Sequence, residues 1–130
     1  MLLSIREQNF AKEVLGASIP VLVHFWAPWC GLCRLIVPQL QQFQDNWKDQ
    51  VKVVGVNADQ SLKLASRYRL KTLPTLILFD RSQELYRLEH FHGREDLRRT
   101  LDEFMQTYQN SSSTLSFSTP EYLALEAKLT

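Results

Sequence analysis

Residues 21–34, VLVHFWAPWCGLCR, constrain the fold of this chain more than any other stretch. Val21, Leu22, Val23, His24, Phe25 and Trp26 form a β-branched and aromatic run without polar alternation, the pattern of a strand covered on both faces. Such a strand belongs in the middle of a sheet. Ala27, Pro28 and Trp29 then break the pattern, and Leu35, Ile36, Leu40 and Phe43 return at helical spacing. The segment therefore predicts a buried strand, a short loop, and a helix that starts at the first cysteine and runs to about Trp47. Pro38 inside that helix removes a backbone hydrogen bond and should bend it.

The two cysteines, Cys30 and Cys33, fall on the first turn of this helix. Unpaired N–H groups and the positive end of the helix dipole there favour a thiolate over a thiol, so Cys30 is a candidate nucleophile. A Cys-x-x-Cys pair also makes half a zinc site, or a haem attachment when histidine follows. Here no second pair exists and Arg34 follows, which argues against metal and haem. A strand before the pair and a helix through it point to redox chemistry.

At this point the chain resembles the thioredoxin family. Phe25, Trp26, Ala27, Trp29, Cys30, Gly31 and Cys33 match the family's active-site segment, with Pro38 where its long helix kinks. Leu73, Pro74 and Thr75 match its cis-proline segment, followed by the apolar run Leu76, Ile77, Leu78 and Phe79. The resemblance covers about residues 1–108. It implies an α/β thioredoxin fold, a central mixed β-sheet flanked by helices on both faces. It also implies thiol-disulfide exchange: Cys30 attacks a client disulfide and Cys33 resolves the mixed disulfide. No cofactor is implied. The partners implied are disulfide-bearing client proteins and an electron donor of the thioredoxin-reductase type. Pro74 is expected to be cis and to face the cysteines, with the backbone of Leu73 pairing with client chain. Trp29, Gly31 and Leu32 are expected on the same client surface.

Departures from the family pattern are informative. His24 stands where the family has a buried aspartate that takes the proton of the second cysteine. A neutral imidazole could do the same, with an ordinary pKa nearer the working pH than a carboxylate's; packing is the competing role. Gly55 replaces the family's lysine partner, as expected if a lysine beside neutral histidine would be an uncompensated charge. Leu32 replaces the usual proline between the cysteines and should shift the redox poise upward. Near the end of a hairpin the family keeps a glycine beside the cysteines; here His90 or Phe91 falls there and would crowd the groove. His90 and His92 would share one side of a strand, but no further metal ligand is evident. Arg34, Arg67, Arg69 and Lys71 suggest a basic rim or simply solvated surface.

The remaining elements follow from periodicity. A short edge strand is expected within residues 1–5 and a helix over 7–15 with Phe10, Val14 and Leu15 inward, ended by Gly16. Residues 51–57 read as a second buried strand, with Asn57, Ala58 and Asp59 as polar stop and N-cap. A helix over about 61–68 should place Leu62, Leu64 and Ala65 inward. Strands over 76–80 and 84–91 form a hairpin around Arg81, Ser82 and Gln83, and a helix over about 94–108 should bury Leu97, Leu101, Phe104 and Met105. The domains expected are a thioredoxin-like domain at 1–108, a Ser-rich linker at 109–119 and a short C-terminal helix at 120–130.

With 15 Lys+Arg against 14 Asp+Glu, a net charge of +1 predicts neither nucleic-acid nor membrane affinity. The longest apolar runs are too short to span a bilayer, and no export signal opens the chain, so a cytoplasmic protein is expected. Two cysteines in a reducing compartment are more often catalytic than structural. The competing functions are a thioredoxin-fold interaction or redox-sensing module with restricted clients, and a disulfide oxidase or isomerase, which the missing export signal disfavours.

Overall fold

In a computed structural model, which describes the backbone of residues 2–115 and the side chains of residues 2–109, five strands form one mixed sheet in the order β1-β3-β2-β4-β5. The strands are β1 Leu3–Ile5, β2 Val21–Trp26, β3 Lys52–Asn57, β4 Thr75–Asp80 and β5 Gln83–Leu88. β1, β3 and β2 run parallel, β4 pairs antiparallel with β2, and β5 pairs antiparallel with β4 at the sheet edge. The apolar runs that predicted two-sided burial, β2 and β3, are inner strands, as is β4; every residue from Val21 to Phe25 is buried.

Alternation along the strands divides the core. Val21, Val23 and Phe25 of β2 share one face with Val54 and Val56 of β3 and with Ile77 and Phe79 of β4. Phe10 and Val14, from α1 Glu7–Phe10 and the π-helical segment Ala11–Leu15, cover that face together with Leu64 of α4 Leu62–Arg67. The Phe10 ring meets Phe79 edge-on at 5.7 Å, and Tyr68 lies between Phe10 and Phe25. His24 therefore points to the opposite face, toward α2 Gly31–Leu35 and α3 Val37–Asn46. Gln44 of α3 fixes that packing by accepting the Val53 N–H at 2.8 Å.

Several expectations are corrected. The helix after the cysteines is not one bent rod but two, separated at Ile36, and Pro38 sits in the first turn of α3, where its missing N–H costs least. Leu62 is 70 % exposed rather than inward. Residues two apart on a helix face nearly opposite ways, so burying Leu64 turns Leu62 outward. The hairpin closes with a two-residue turn, Arg81 and Ser82, both at positive φ, and β5 stops at Leu88 rather than Phe91. His90 and His92 are thus not on a strand. Gly93, at φ +83, turns the chain into α5 Gly93–Leu115, and the Asp96 carboxylate accepts the His92 N–H at 2.7 Å.

Two compact units divide the chain, one up to Arg98 and one from Arg99 onward. The first contains the sheet. The described part of the second is the remainder of α5, where Arg99 pairs with Glu103 at 3.6 Å and Phe104 stacks on Tyr108. Leu97, Leu101 and Met105 are buried as expected, and Phe104 is half-buried. α5 runs past Tyr108 into the polar stretch read as a linker, which contains no glycine or proline to stop a helix already propagating. The helix expected at 120–130 lies outside the described residues.

Candidate active site

The central strand β2 ends at Trp26, and the next residues build the site. The Cys30 N–H donates to the Ala27 carbonyl at 3.0 Å, closing a tight turn that carries Trp29 outward. Cys30 keeps an extended backbone, φ −91 and ψ 103, as the N-cap of α2, and its Sγ accepts the Cys33 N–H at 3.1 Å. The cap that serine or aspartate usually supplies is here a sulfur. Cys30 and Cys33 are joined in a disulfide with 5.3 Å between their Cα atoms. Both are buried, Cys30 at 6 % exposure and Cys33 at 1 %. Gly31 and Leu32 open α2, and Leu32 is partly exposed beside the pair.

Three neighbouring segments surround this turn. From β4, the register Phe25↔Thr75 brings Pro74 to the sheet end where β2 leads into the cysteines. The Leu73-Pro74 bond is cis, as the resemblance implied, and the Thr75 hydroxyl donates to the Thr72 carbonyl at 2.7 Å. From the end of β3, Asn57 Oδ1 accepts the Asp59 N–H at 2.9 Å, and Asp59 in turn accepts the Trp29 indole N–H at 3.0 Å. Trp29 is thereby held while its ring remains 68 % exposed. Asp59 was not among the residues the sequence singled out for the site, because a partner thirty positions away leaves no periodic signal. Finally, Leu76↔Leu88 pairing means that the chain leaves β5 at this same end of the sheet, with His90 exposed and Phe91 half-buried.

Two of the four cations read as a basic rim or as solvated surface have local partners. Arg34 donates to the Pro28 carbonyl and so ties α2 back to the loop before the cysteines, while Arg67 lies over the Tyr68 ring at 5.5 Å.

Beneath the pair, His24 is 2 % exposed and its Nε2 has no hydrogen-bond partner among the described residues. Burial pushes its pKa down to about 4. The imidazole is not brought nearer the working pH than a carboxylate, as its ordinary value had suggested; desolvation moves it into the carboxylate range. It is therefore neutral at pH 7. Gly55 lies beside it in the β2–β3 register, and a Cβ there would come within 3.3 Å of Trp26 Nε1. A side chain there would press on the edge of the indole. Among the described residues no cluster of three His, Cys, Asp or Glu could hold a metal ion.

The thioredoxin family model matches residues 1–106. The chain belongs to the thioredoxin family. It is 40 % identical over 102 residues to Thioredoxin 1 of Synechococcus elongatus, covering 78 % of this chain and 95 % of that one. Thioredoxin 1 of a Nostoc strain is 35 % identical over 101 residues, covering 78 % and 94 %, and a Synechocystis thioredoxin is 34 % identical with the same coverage. With this membership and a Cys30–Cys33 pair at the helix start, the chain is a thiol-disulfide oxidoreductase. No helix among the described residues is long and apolar enough to cross a membrane.

Proposed function

We propose that the chain reduces disulfides in client proteins, with Cys30 attacking and Cys33 resolving. The observation that carries this assignment is the Cys33 N–H directed at Cys30 Sγ from the first turn of α2. In the reduced protein that donor and the neighbouring N–H groups favour a Cys30 thiolate. The thiolate attacks one client sulfur, the client S–S bond breaks, and one client thiolate leaves. Cys33 then loses its proton and attacks Cys30 Sγ, which releases the second client thiolate and closes the Cys30–Cys33 disulfide. Two electrons pass from the pair to the client, and a thioredoxin-reductase-type donor restores them.

His24 is the proposed acceptor of the Cys33 proton. Its neutral state at pH 7 leaves a lone pair to receive it, and it lines the same cavity as Cys33. Trp29, Gly31, Leu32, Leu73 and Pro74 form the client surface in this reading. His90 and Phe91 narrow it, which favours a restricted set of clients. A reducing cytoplasm suits a pair that must be returned to dithiol form after each turnover.

Replacing each cysteine in turn tests the assignment. Cys33→Ser should accumulate a mixed disulfide with a disulfide-bearing client, visible by non-reducing electrophoresis and mass spectrometry. Cys30→Ser should trap nothing and lose reduction. Trapping through Cys33 in the Cys30→Ser protein would reverse the roles.

A further inference from the structure

On the α2–α3 side of the sheet, behind the disulfide, lies a cavity of about 310 Å³. Leu3, His24, Trp26, Cys33, Val37 and Gly55 are among its lining residues. Its β1 wall belongs to the edge strand, whereas Pro74 and the client surface lie across β2 on the β4 side. The cavity is thus separate from the groove that takes client chain.

Two features mark it as a binding site. Gly55 keeps the space open by projecting no side chain between β1 and β2, the strands on either side of its own. An apolar cavity of ~150 Å³ already admits benzene, so this volume holds a substituted ring. The second feature is His24 Nε2, a buried polar atom without a partner among the described residues. A ligand that brings a donor would remove the cost of that unmet bond. A charged ligand is not called for: the imidazole is neutral and the lining is mainly apolar, with the Arg34 guanidinium drawn to the Pro28 carbonyl.

We propose that this cavity binds a small uncharged aromatic molecule bearing one hydroxyl. The ring lies against Leu2, Trp26 and Val37, and the hydroxyl donates to His24 Nε2 after a small turn of the imidazole toward the cavity. The effect on turnover, though not the binding, rests on the role proposed above for His24. A ligand hydroxyl on Nε2 occupies the lone pair that would accept the Cys33 proton, so the occupied protein resolves mixed disulfides more slowly.

The test uses oxidised, ¹⁵N-labelled full-length protein titrated with p-cresol, and with toluene as the analogue lacking the hydroxyl. Saturable shifts are expected at the His24 ring nitrogens and at the amides of Ser4, Val37 and Gly55. Toluene should bind about tenfold more weakly, the scale of one buried hydrogen bond. Gly55→Val should abolish binding by filling the cavity. Should that side chain disturb folding against Trp26, Ser4→Phe narrows the cavity from β1 and should weaken binding as well. Absence of saturable shifts, shifts confined to Trp29 and Pro74, equal affinity for p-cresol and toluene, or binding unaffected by Ser4→Phe would each overturn the proposal. Because the titration uses the disulfide form, a His24 idle in turnover leaves these shifts unaltered, and the two failures are separable.

Discussion

His24 links burial to both stability and chemistry. In the unfolded chain its pKa returns to about 6.5, and burial in the fold holds it down to about 4. Between those values the unfolded state binds more protons than the native one. The stabilisation is therefore fully present above pH 6.5 and is lost as pH falls through the window toward 4, at up to ~1.4 kcal/mol per pH unit. Glu13, held low by its hydrogen bond from Lys52, and Glu95, held low by Arg98, lose their contributions only below the ordinary carboxylate range. Urea midpoints of the oxidised protein from pH 7 to 4.5 should fall steeply, and His24→Asn should flatten that slope. The same variant tests the proton role, since an unchanged pH profile for Cys33 reactivity would remove it. At Trp29 the decisive contact is with Asp59. Asp59→Ala should free the indole, alter its fluorescence response to reduction and cost about 0.5–1 kcal/mol, because the lost bond is exposed and neutral on the donor side.

Elements were legible where one periodicity acted alone. β2 and β3 were plain because a run buried on both faces has no competing pattern, and the cysteine helix start was plain because Ala27–Trp29 breaks one period before the next begins. Legibility failed where tertiary contacts chose between equivalent local readings. Leu62 and Leu64 are chemically alike, and only the position of α4 over Phe10, Val14 and Phe79 decides which is inward. The consequence is measurable: Leu64→Ala should cost about 2–5 kcal/mol, whereas Leu62→Gln should change stability by no more than about 0.5 kcal/mol. The end of β5 is not legible for a related reason. Glu89, His90 and Phe91 continue an acceptable strand composition, but β4 begins at Thr75 and leaves no strand partner for them beyond cis-Pro74. Asp59 lay within a stretch read as punctuation, since a polar residue that acts on a distant indole looks the same as one that merely ends a strand.

At the scale of the whole molecule, the central property is the energy balance between dithiol and disulfide. Leu32 in place of a proline leaves an N–H in the first turn of α2 that can donate to the Cys30 thiolate, which stabilises the reduced form and raises the potential. One charge-assisted hydrogen bond of ~1.5 kcal/mol corresponds to roughly 30 mV for a two-electron couple. Equilibration against glutathione, followed by Trp29 fluorescence, should therefore give a value tens of millivolts above the roughly −270 mV of thioredoxin. Leu32→Pro should bring it down. A parent value at or below that reference would assign the poise to something other than the helix start.

The order β1-β3-β2-β4-β5 also carries a consequence for synthesis. The cysteines lie early in the chain, just after the middle strand, yet the wall opposite them arrives with β3 and then β4. A ribosome-bound chain exposes both thiols well before Asp59 and Pro74 have emerged to frame them. During that interval the pair is simply a pair of nearby thiols, open to the first disulfide it meets, and selectivity begins only when the fourth strand closes the sheet beside it.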